Sequence, residues 1–371
     1  MSVPEDFAAW AASKGVVLSG IEPRAIPGRG IGLVTTREIK VGEVLLHVPL
    51  SSFVTKRSVP AEVARQAPAA SLHGLLALHL CLEKARGEPS TAQWRAVFPR
   101  LEDFSSMPLL WDPALHPHLP LPARDLLSKQ RAKLDDDWAA VSHLGLSRED
   151  YTHHWLLVNT RSFYYAPSRF NPADNLALIP VADLLNHASS GCPASFTSRG
   201  LSVTADRAYE PGCEVYTTYG RHGNDFLMTE YGFLLEDNEW DEVSLDDFLL
   251  SRLDGDMKAE LRALGFLGKW LLDKRTPACF RTQVALRELR GISPQPFIHG
   301  SEREAVQEAI DHLYYRDLGV YLEEIEGKAR AVEGLGLGLG GEVLAKRWRQ
   351  IAELVEGARR QLPSVNGERK E

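Results

Sequence analysis

Hydrophobic and polar positions change their spacing along this chain in a way that marks out its elements. Over residues 16–51, VVLSGIEPRAIPGRGIGLVTTREIKVGEVLLHVPLS, β-branched residues alternate with turn residues, which predicts several short strands. A short helix precedes them over residues 4–13, with Phe7, Ala8 and Trp10 on one side and Gly15 as its terminator. From residue 61 to about residue 151 the period lengthens to that of a helix, with Leu72, Leu75, Leu76, His79, Leu80 and Leu82 at helical spacing. A further helix ends at Gly145, and another is predicted over residues 148–164.

Residues 178–185 form an apolar run broken only by Pro180 and Asp183, which reads as a buried strand or a strand and turn. Asn186 and His187 follow at its end, where side chains on a rigid element can be aimed into a cleft. Candidate strands at 201–204 and 214–219 flank a Pro211-Gly212 turn, and Tyr216, Tyr219, Tyr231 and Phe233 fall around the polar loop GRHGND. Beyond residue 238 the pattern is helical and amphipathic, with LGLGLGG at 335–341 read as a flexible link before the last helix and 364–371 as a disordered tail.

Composition narrows the picture modestly. With 371 residues, 44% hydrophobic and 25% charged, the chain suits two globular domains, or one with a large insertion. A net charge of −8 argues against a general nucleic-acid binder and suits a partner that presents a basic segment. Cys81, Cys192, Cys213 and Cys279 form no C-x-x-C pair, so neither a disulfide framework nor a zinc site is expected. His143, His153 and His154 lack the spacing of a zinc-binding helix, and no metal is expected. No run reaches the ~20 apolar residues of a membrane span. The expectation is a soluble, monomeric protein of the cytoplasm or nucleus, without direct contact to nucleic acid or membrane. Gly28-Arg29-Gly30-Ile31-Gly32 is neither a dinucleotide fingerprint nor a P-loop, and taken alone it reads as a β-turn.

The order of motifs carries more than any one of them. DLLNH, a Pro-Gly turn, Y-x-x-YG, ND and EYGF together resemble the catalytic half of a SET-domain methyltransferase. The likeness is nearest to the Rubisco large-subunit methyltransferase group, which includes ribosomal-protein lysine methyltransferases and the actin-histidine enzyme. The segment GRGIGLVTTREIKVGEVLLHVP is similar to the N-terminal strand pair of that domain, and the helical stretch after it resembles the insertion that splits the domain. The C-terminal helices resemble the group's substrate-binding domain. The resemblance therefore implies an α+β architecture: a SET-domain β-fold with a knot-like crossing and a helical insertion, followed by an all-α C-terminal domain. Its parts would be residues 1–60 and 166–238 for the SET fold, 61–165 for the insertion, 239–363 for the substrate-binding helices and 364–371 for the tail.

The same resemblance implies S-adenosylmethionine as cofactor and a protein with an accessible lysine as partner. Tyr219 would be the catalytic tyrosine, and Tyr216, Tyr219 and Tyr231 would line the substrate channel. Gly30, Ile31, Gly32, Arg161, Asn186, His187, Tyr231 and Phe233 would hold the cofactor, Arg161 through its carboxylate, Asn186 near its amino group, and Phe233 against the adenine. On residue chemistry alone, Arg161 could equally pair a neighbouring acid. Asp183 and Asn224 would tie the crossing segments together. The implied reaction is methylation of a non-histone substrate such as a ribosomal protein or translation factor, since the Cys-rich zinc motif of histone-type enzymes is missing from the sequence. The actin-histidine enzyme carries a Trp and an Asn where this chain has Ala182 and Phe163, which favours lysine over histidine as the target. A non-catalytic SET-like binding module is the other alternative, separable by transfer of a labelled methyl group. A hydrolase built on His187 or a cysteine finds no supporting motif.

Overall fold

The computed structural model describes residues 2–165 and 175–363, which fall into two compact units. The first comprises Met1–Phe104 and Lys129–Arg221; the second comprises Ser105–Ser128 and His222–Glu371. Residues 166–174 lie outside the described residues, as does the tail 364–371, for which disorder is expected.

The first unit opens with the helix Val3–Ser13, whose Ser2 and Glu5 form a capping box. Strands follow in quick succession, as the alternating pattern predicts: β1 (Val17–Leu18), β2 (Ile21–Ile26), β3 (Gly30–Thr35) and β4 (Val44–Pro49). After the helical stretch come β5 (Ser162–Tyr164), β6 (Leu176–Leu178), β7 (Asn186–His187), β8 (Ala194–Thr197), β9 (Gly200–Thr204) and β10 (Glu214–Thr217). They make one sheet in the order β1-β4-β9-β8, a second in the order β2-β3-β10-β7, and the pair β5-β6. In the second sheet β3 runs antiparallel to β2 and β10, while β7 lies parallel to β10. A parallel neighbour so close in sequence requires the chain to cross over rather than turn back, and residues 188–192 make that crossing tight. Ala188 N–H donates to Thr217 O and Cys192 N–H to Tyr216 O. At Gly191 a Cβ would stand 2.7 Å from the Tyr216 carbonyl oxygen, so only glycine lets the two backbones approach.

The helical insertion is knitted around one buried carboxylate. Asp137 accepts from the backbone and hydroxyl of Ser71 and from Trp155 Nε1, at 2.8, 2.9 and 3.0 Å. This joins the helices Leu72–Ala85 and Arg148–Arg161, whose His73 and Trp155 rings stack 4.1 Å apart. Burial, followed by the nearby Lys133 charge, holds the His73 pKa down to about 3, so its ring is a neutral packing element. The helix expected over residues 148–164 stops at Arg161, because Ser162, Phe163 and Tyr164 pair with Leu178, Ala177 and Leu176. The apolar run 178–185 likewise divides: Leu178 ends a strand, Val181 takes φ +71°, and Ala182–Leu184 make one 3-10 turn.

The second unit is helical apart from one antiparallel pair, β11 (Glu242–Ser244) with β12 (Leu271–Asp273), so it is not wholly α. Its core gathers Phe248, Trp270, Tyr314, Leu318, Leu344 and Trp348. Arg347 is fully buried, its Nε at 2.7 Å from Asp225 and its Nη1 at 2.7 Å from Asp241. Residues 335–341 are not a flexible link. The long helix Glu304–Leu335 ends at Gly336, and the last helix, Gly338–Arg360, begins two residues later. Gly340 serves packing, since a Cβ there would stand 2.9 Å from the Trp111 ring, while Gly336 and Gly338 take the positive φ of the turn between the helices.

Candidate active site

The sheet β2-β3-β10-β7 brings most of the singled-out residues of the first unit together. Strand periodicity puts Glu214 and Tyr216 on one face of β10, and the parallel register sets Asn186 beside Tyr216. On that face Asn186 Nδ2 donates to Glu214 Oε1 at 2.7 Å. Tyr216 donates its hydroxyl proton to Glu214 Oε2 and accepts from Arg29 Nη1, both at 2.7 Å. Arg29 Nη2 lies 3.1 Å from the same carboxylate, closing the circuit back to the glycine turn. Its pKa is raised, first by the Tyr216 hydrogen bond, which overcomes a small loss from burial, and then by Glu214.

The Gly30–Gly32 stretch lies directly against this network. A Cβ on Gly32 would stand 3.0 Å from Glu214 Oε1 and 3.1 Å from Asn186 Nδ2. Gly30, at φ +74°, has nothing within 4 Å of where a Cβ would project, so the loop's open side leaves room for a ligand along the backbone. Ile31 is half-buried between them.

Tyr219 sits two residues beyond the end of β10, which stops at Thr217 rather than running to 219 as the sequence pattern suggests. Its hydroxyl donates to Leu185 O at 2.7 Å, and its backbone N–H donates to His187 Nδ1 at 3.0 Å. The His187 and Tyr219 rings are tilted against each other with centroids 5.1 Å apart. Nδ1 of His187 is thereby an acceptor, which fixes the neutral tautomer with its proton on Nε2. Tyr219 and Asn186, which the sequence reading needs side by side, are thus linked through Leu185, the residue immediately before Asn186.

Arg161 reaches the same loop from the end of its helix. Its Nη1 donates to Asp183 O at 2.6 Å, while its Nε is buried and has no hydrogen-bond partner among the described residues. The Asp183 carboxyl accepts from Trp94 Nε1 at 2.9 Å through one oxygen, and its other oxygen is also buried without a hydrogen-bond partner among the described residues. Burial pushes its pKa up to about 6 against the opposing influence of Arg161 and Trp94. Asp183 therefore anchors the DLLNH turn to the helical insertion. Asn224 does not join it. That residue belongs to the second unit, where its side chain bonds to Leu235, Asn238 and Gln350.

Tyr231 and Phe233 also belong to the second unit. Their rings lie 6.1 Å apart, with Phe226 at 6.3 Å from Tyr231, and burial pushes the Tyr231 phenol up to about 12. Among the described residues one trio has metal-like spacing: Cys81, Asp150 and His154. The three are joined by hydrogen bonds within and between the two helices. His154 Nδ1 donates to Asp150 O at 2.7 Å, Lys84 pairs with the Asp150 carboxylate at 2.5 Å, and burial raises the Cys81 thiol to about 12.

Arg29, Glu214 and the Leu185 carbonyl were not among the candidate site residues that the sequence marks out. Glu214 carried a usable signal, lying two residues before Tyr216 on a predicted strand. Trp94 opens a W-x-x-x-FP run similar to one in the family, but its pairing with Asp183 was not legible, because 89 residues separate the two.

Comparison with known proteins agrees with this topology. The family model described as "SET domain" matches residues 30–220, more than half of the chain. The chain is 26% identical over 316 residues to "Ribosomal lysine N-methyltransferase set11" of Schizosaccharomyces pombe, covering 83% of this chain and 80% of that protein. It is 28% identical over 275 residues to "Actin-histidine N-methyltransferase" of Danio rerio, covering 66% of this chain but only 45% of the other. Among solved structures, "Structure of Rubisco LSMT bound to AdoMet" superposes with a TM-score of 0.59 over 99% of this chain and 95% of that one, at 16% identity. At that identity the likeness speaks for the fold.

Proposed function

Since this chain belongs to the SET-domain family, we propose that it is an S-adenosylmethionine-dependent protein-lysine N-methyltransferase, acting on a ribosomal protein or a translation factor. The observation that carries the reading is the meeting of the Tyr219 hydroxyl with Leu185 O, next to the Asn186 amide and the open Gly30–Gly32 backbone. The similarity to a fission-yeast enzyme named for ribosomal lysine supports the substrate class.

The residues fit the cofactor. An orphaned buried Nε on Arg161 suits a carboxylate, the glycine backbone leaves space for an extended ligand, and Asn186 offers an amide oxygen beside it. When bound, S-adenosylmethionine supplies a methyl group activated by an adjacent sulfonium. The chain's own contribution is alignment, which can account for most of the acceleration of such a displacement. The Tyr219 hydroxyl donates to Leu185 O, so towards polarised C–H groups or an amine proton its oxygen can act only as an acceptor. The bond from Tyr219 N–H to His187 fixes where that oxygen stands. A lysine ammonium brought against these aromatic walls loses hydration, its pKa falls, and the neutral amine becomes the nucleophile.

Lysine rather than histidine is favoured by Ala182 and Phe163, where the actin-histidine enzyme differs. The test is transfer of a labelled methyl group from S-adenosylmethionine into a cytosolic extract by the purified protein, followed by mass spectrometry of the labelled band. Methyl-lysine in a ribosomal protein or translation factor supports the reading. Methyl-histidine redirects the target, and no labelled protein leaves a binding module.

A further inference from the structure

Glu214 is the least exposed charge in the network and the only acid in it, with 9% of its side chain accessible against 52% for Arg29. Three donors converge on its carboxylate: Asn186 Nδ2 on Oε1, and the Tyr216 hydroxyl and Arg29 on Oε2. A carboxylate presents acceptors only, so the Asn186 atom facing it must be the NH2 group. The amide oxygen Oδ1 is then the group Asn186 has to offer to anything lying along Gly30–Gly32. Left without a fixed partner, an asparagine can present either end of its amide, and half of those orientations would set N–H groups against a ligand cation.

We propose that Glu214 is a positioning residue for cofactor recognition: it locks the Asn186 amide so that Oδ1 accepts from the ammonium of the methionine moiety, while Arg29 and Tyr216 hold Glu214 itself in place. This rests on the methyltransferase reading above and adds to it a residue that selects the amino end of the ligand. A ligand without the amino group has nothing to donate to Oδ1 and forgoes that bond.

Calorimetry with two ligands separates this role from a merely structural one. S-Adenosylhomocysteine carries the amino group, whereas 5′-methylthioadenosine has the same adenosine thioether without the amino acid portion. Glu214→Ala is expected to weaken S-adenosylhomocysteine binding about tenfold, the scale of one hydrogen bond to a charged group, and to leave methylthioadenosine binding unchanged. In an Asn186→Ala background the same substitution should cost nothing further, because the pair acts as one unit. Glu214→Gln can keep Oε1 toward Asn186 and should retain wild-type affinity within about threefold. Equal losses for both ligands, or additive effects of the two substitutions, would overturn the role of Glu214. If the wild-type protein bound neither ligand, the cofactor reading itself would fail instead.

Discussion

The hydroxyl of Tyr219 donates to the main-chain oxygen of Leu185 across 2.7 Å, joining a residue just past the end of β10 to the one just before β7. The bond orients the phenol without engaging a side chain, so removing the hydroxyl should leave the fold intact. Tyr219→Phe is expected to lower methyl-transfer turnover about a hundredfold, the usual scale for a preorganised polar group at a reacting centre. Its affinity for S-adenosylhomocysteine should stay within about tenfold of wild type. Unchanged turnover in a single-round assay would remove Tyr219 from the chemistry.

Gly30 and Gly32 should respond differently to the same change. At Gly32 an added Cβ would press on Glu214 Oε1 and Asn186 Nδ2 at 3.0–3.1 Å, whereas at Gly30 it would meet open space but demand φ +74°. Gly32→Ala is expected to weaken S-adenosylhomocysteine binding about tenfold or more by displacing that pair. Gly30→Ala should mainly lower stability, by about 1 kcal/mol, through its backbone conformation. Calorimetry and thermal melts on the two variants check the contrast. Identical profiles would mean that the loop acts as a simple turn.

These two cases also show what the chain discloses before it folds. Asn186, Tyr216 and Tyr219 were legible because DLLNH followed by Y-x-x-YG resembles a SET domain; Asn186 and Tyr216 do lie on neighbouring strands, and Tyr219 stands just past the end of β10. The partners of Glu214 were not, since the ion pair with Arg29 joins residues 185 positions apart and depends on β3 and β10 being adjacent. Residues 335–341 misled for a related reason. Glycine-rich sequence usually reports flexibility, but here Trp111, more than two hundred residues earlier, needs the space that Gly340 leaves. Only tertiary packing distinguishes the two uses of glycine.

The second unit offers a test of its own stability. Arg347 is wholly buried between Asp225 and Asp241, and its pKa is raised because the two carboxylates outweigh the penalty of burial. Arg347→Met would strand two buried carboxylates and is expected to destabilise the protein by roughly 3–5 kcal/mol. Adding Asp225→Asn and Asp241→Asn should restore part of that loss, since neutral amides keep hydrogen bonds without the charge. Urea denaturation of the single and triple variants measures both steps. A triple variant no more stable than Arg347→Met alone would show that geometry, not charge, dominates the site.

Asp183 makes stability depend on pH in a direction opposite to most surface carboxylates. Its pKa is raised from 3.8 to about 6 by burial, and one of its oxygens is buried without a hydrogen-bond partner among the described residues. A carboxyl that holds its proton more tightly folded than unfolded contributes most below the unfolded value. That contribution is lost as pH rises from 3.8 to about 6 and stays constant above. At about 1.4 kcal/mol per unit, the full change is on the order of 3 kcal/mol. Asp183→Asn keeps an acceptor for Trp94 and cannot ionise, so wild type should lose stability relative to the variant across that window. Paired urea titrations between pH 4 and pH 7.5, as an approximate working range, read the difference directly. A difference that is flat with pH, or that grows in favour of wild type as pH rises, would mean that Arg161 keeps Asp183 ionised throughout and that the turn presenting Asn186 is held by charge rather than by a neutral acid.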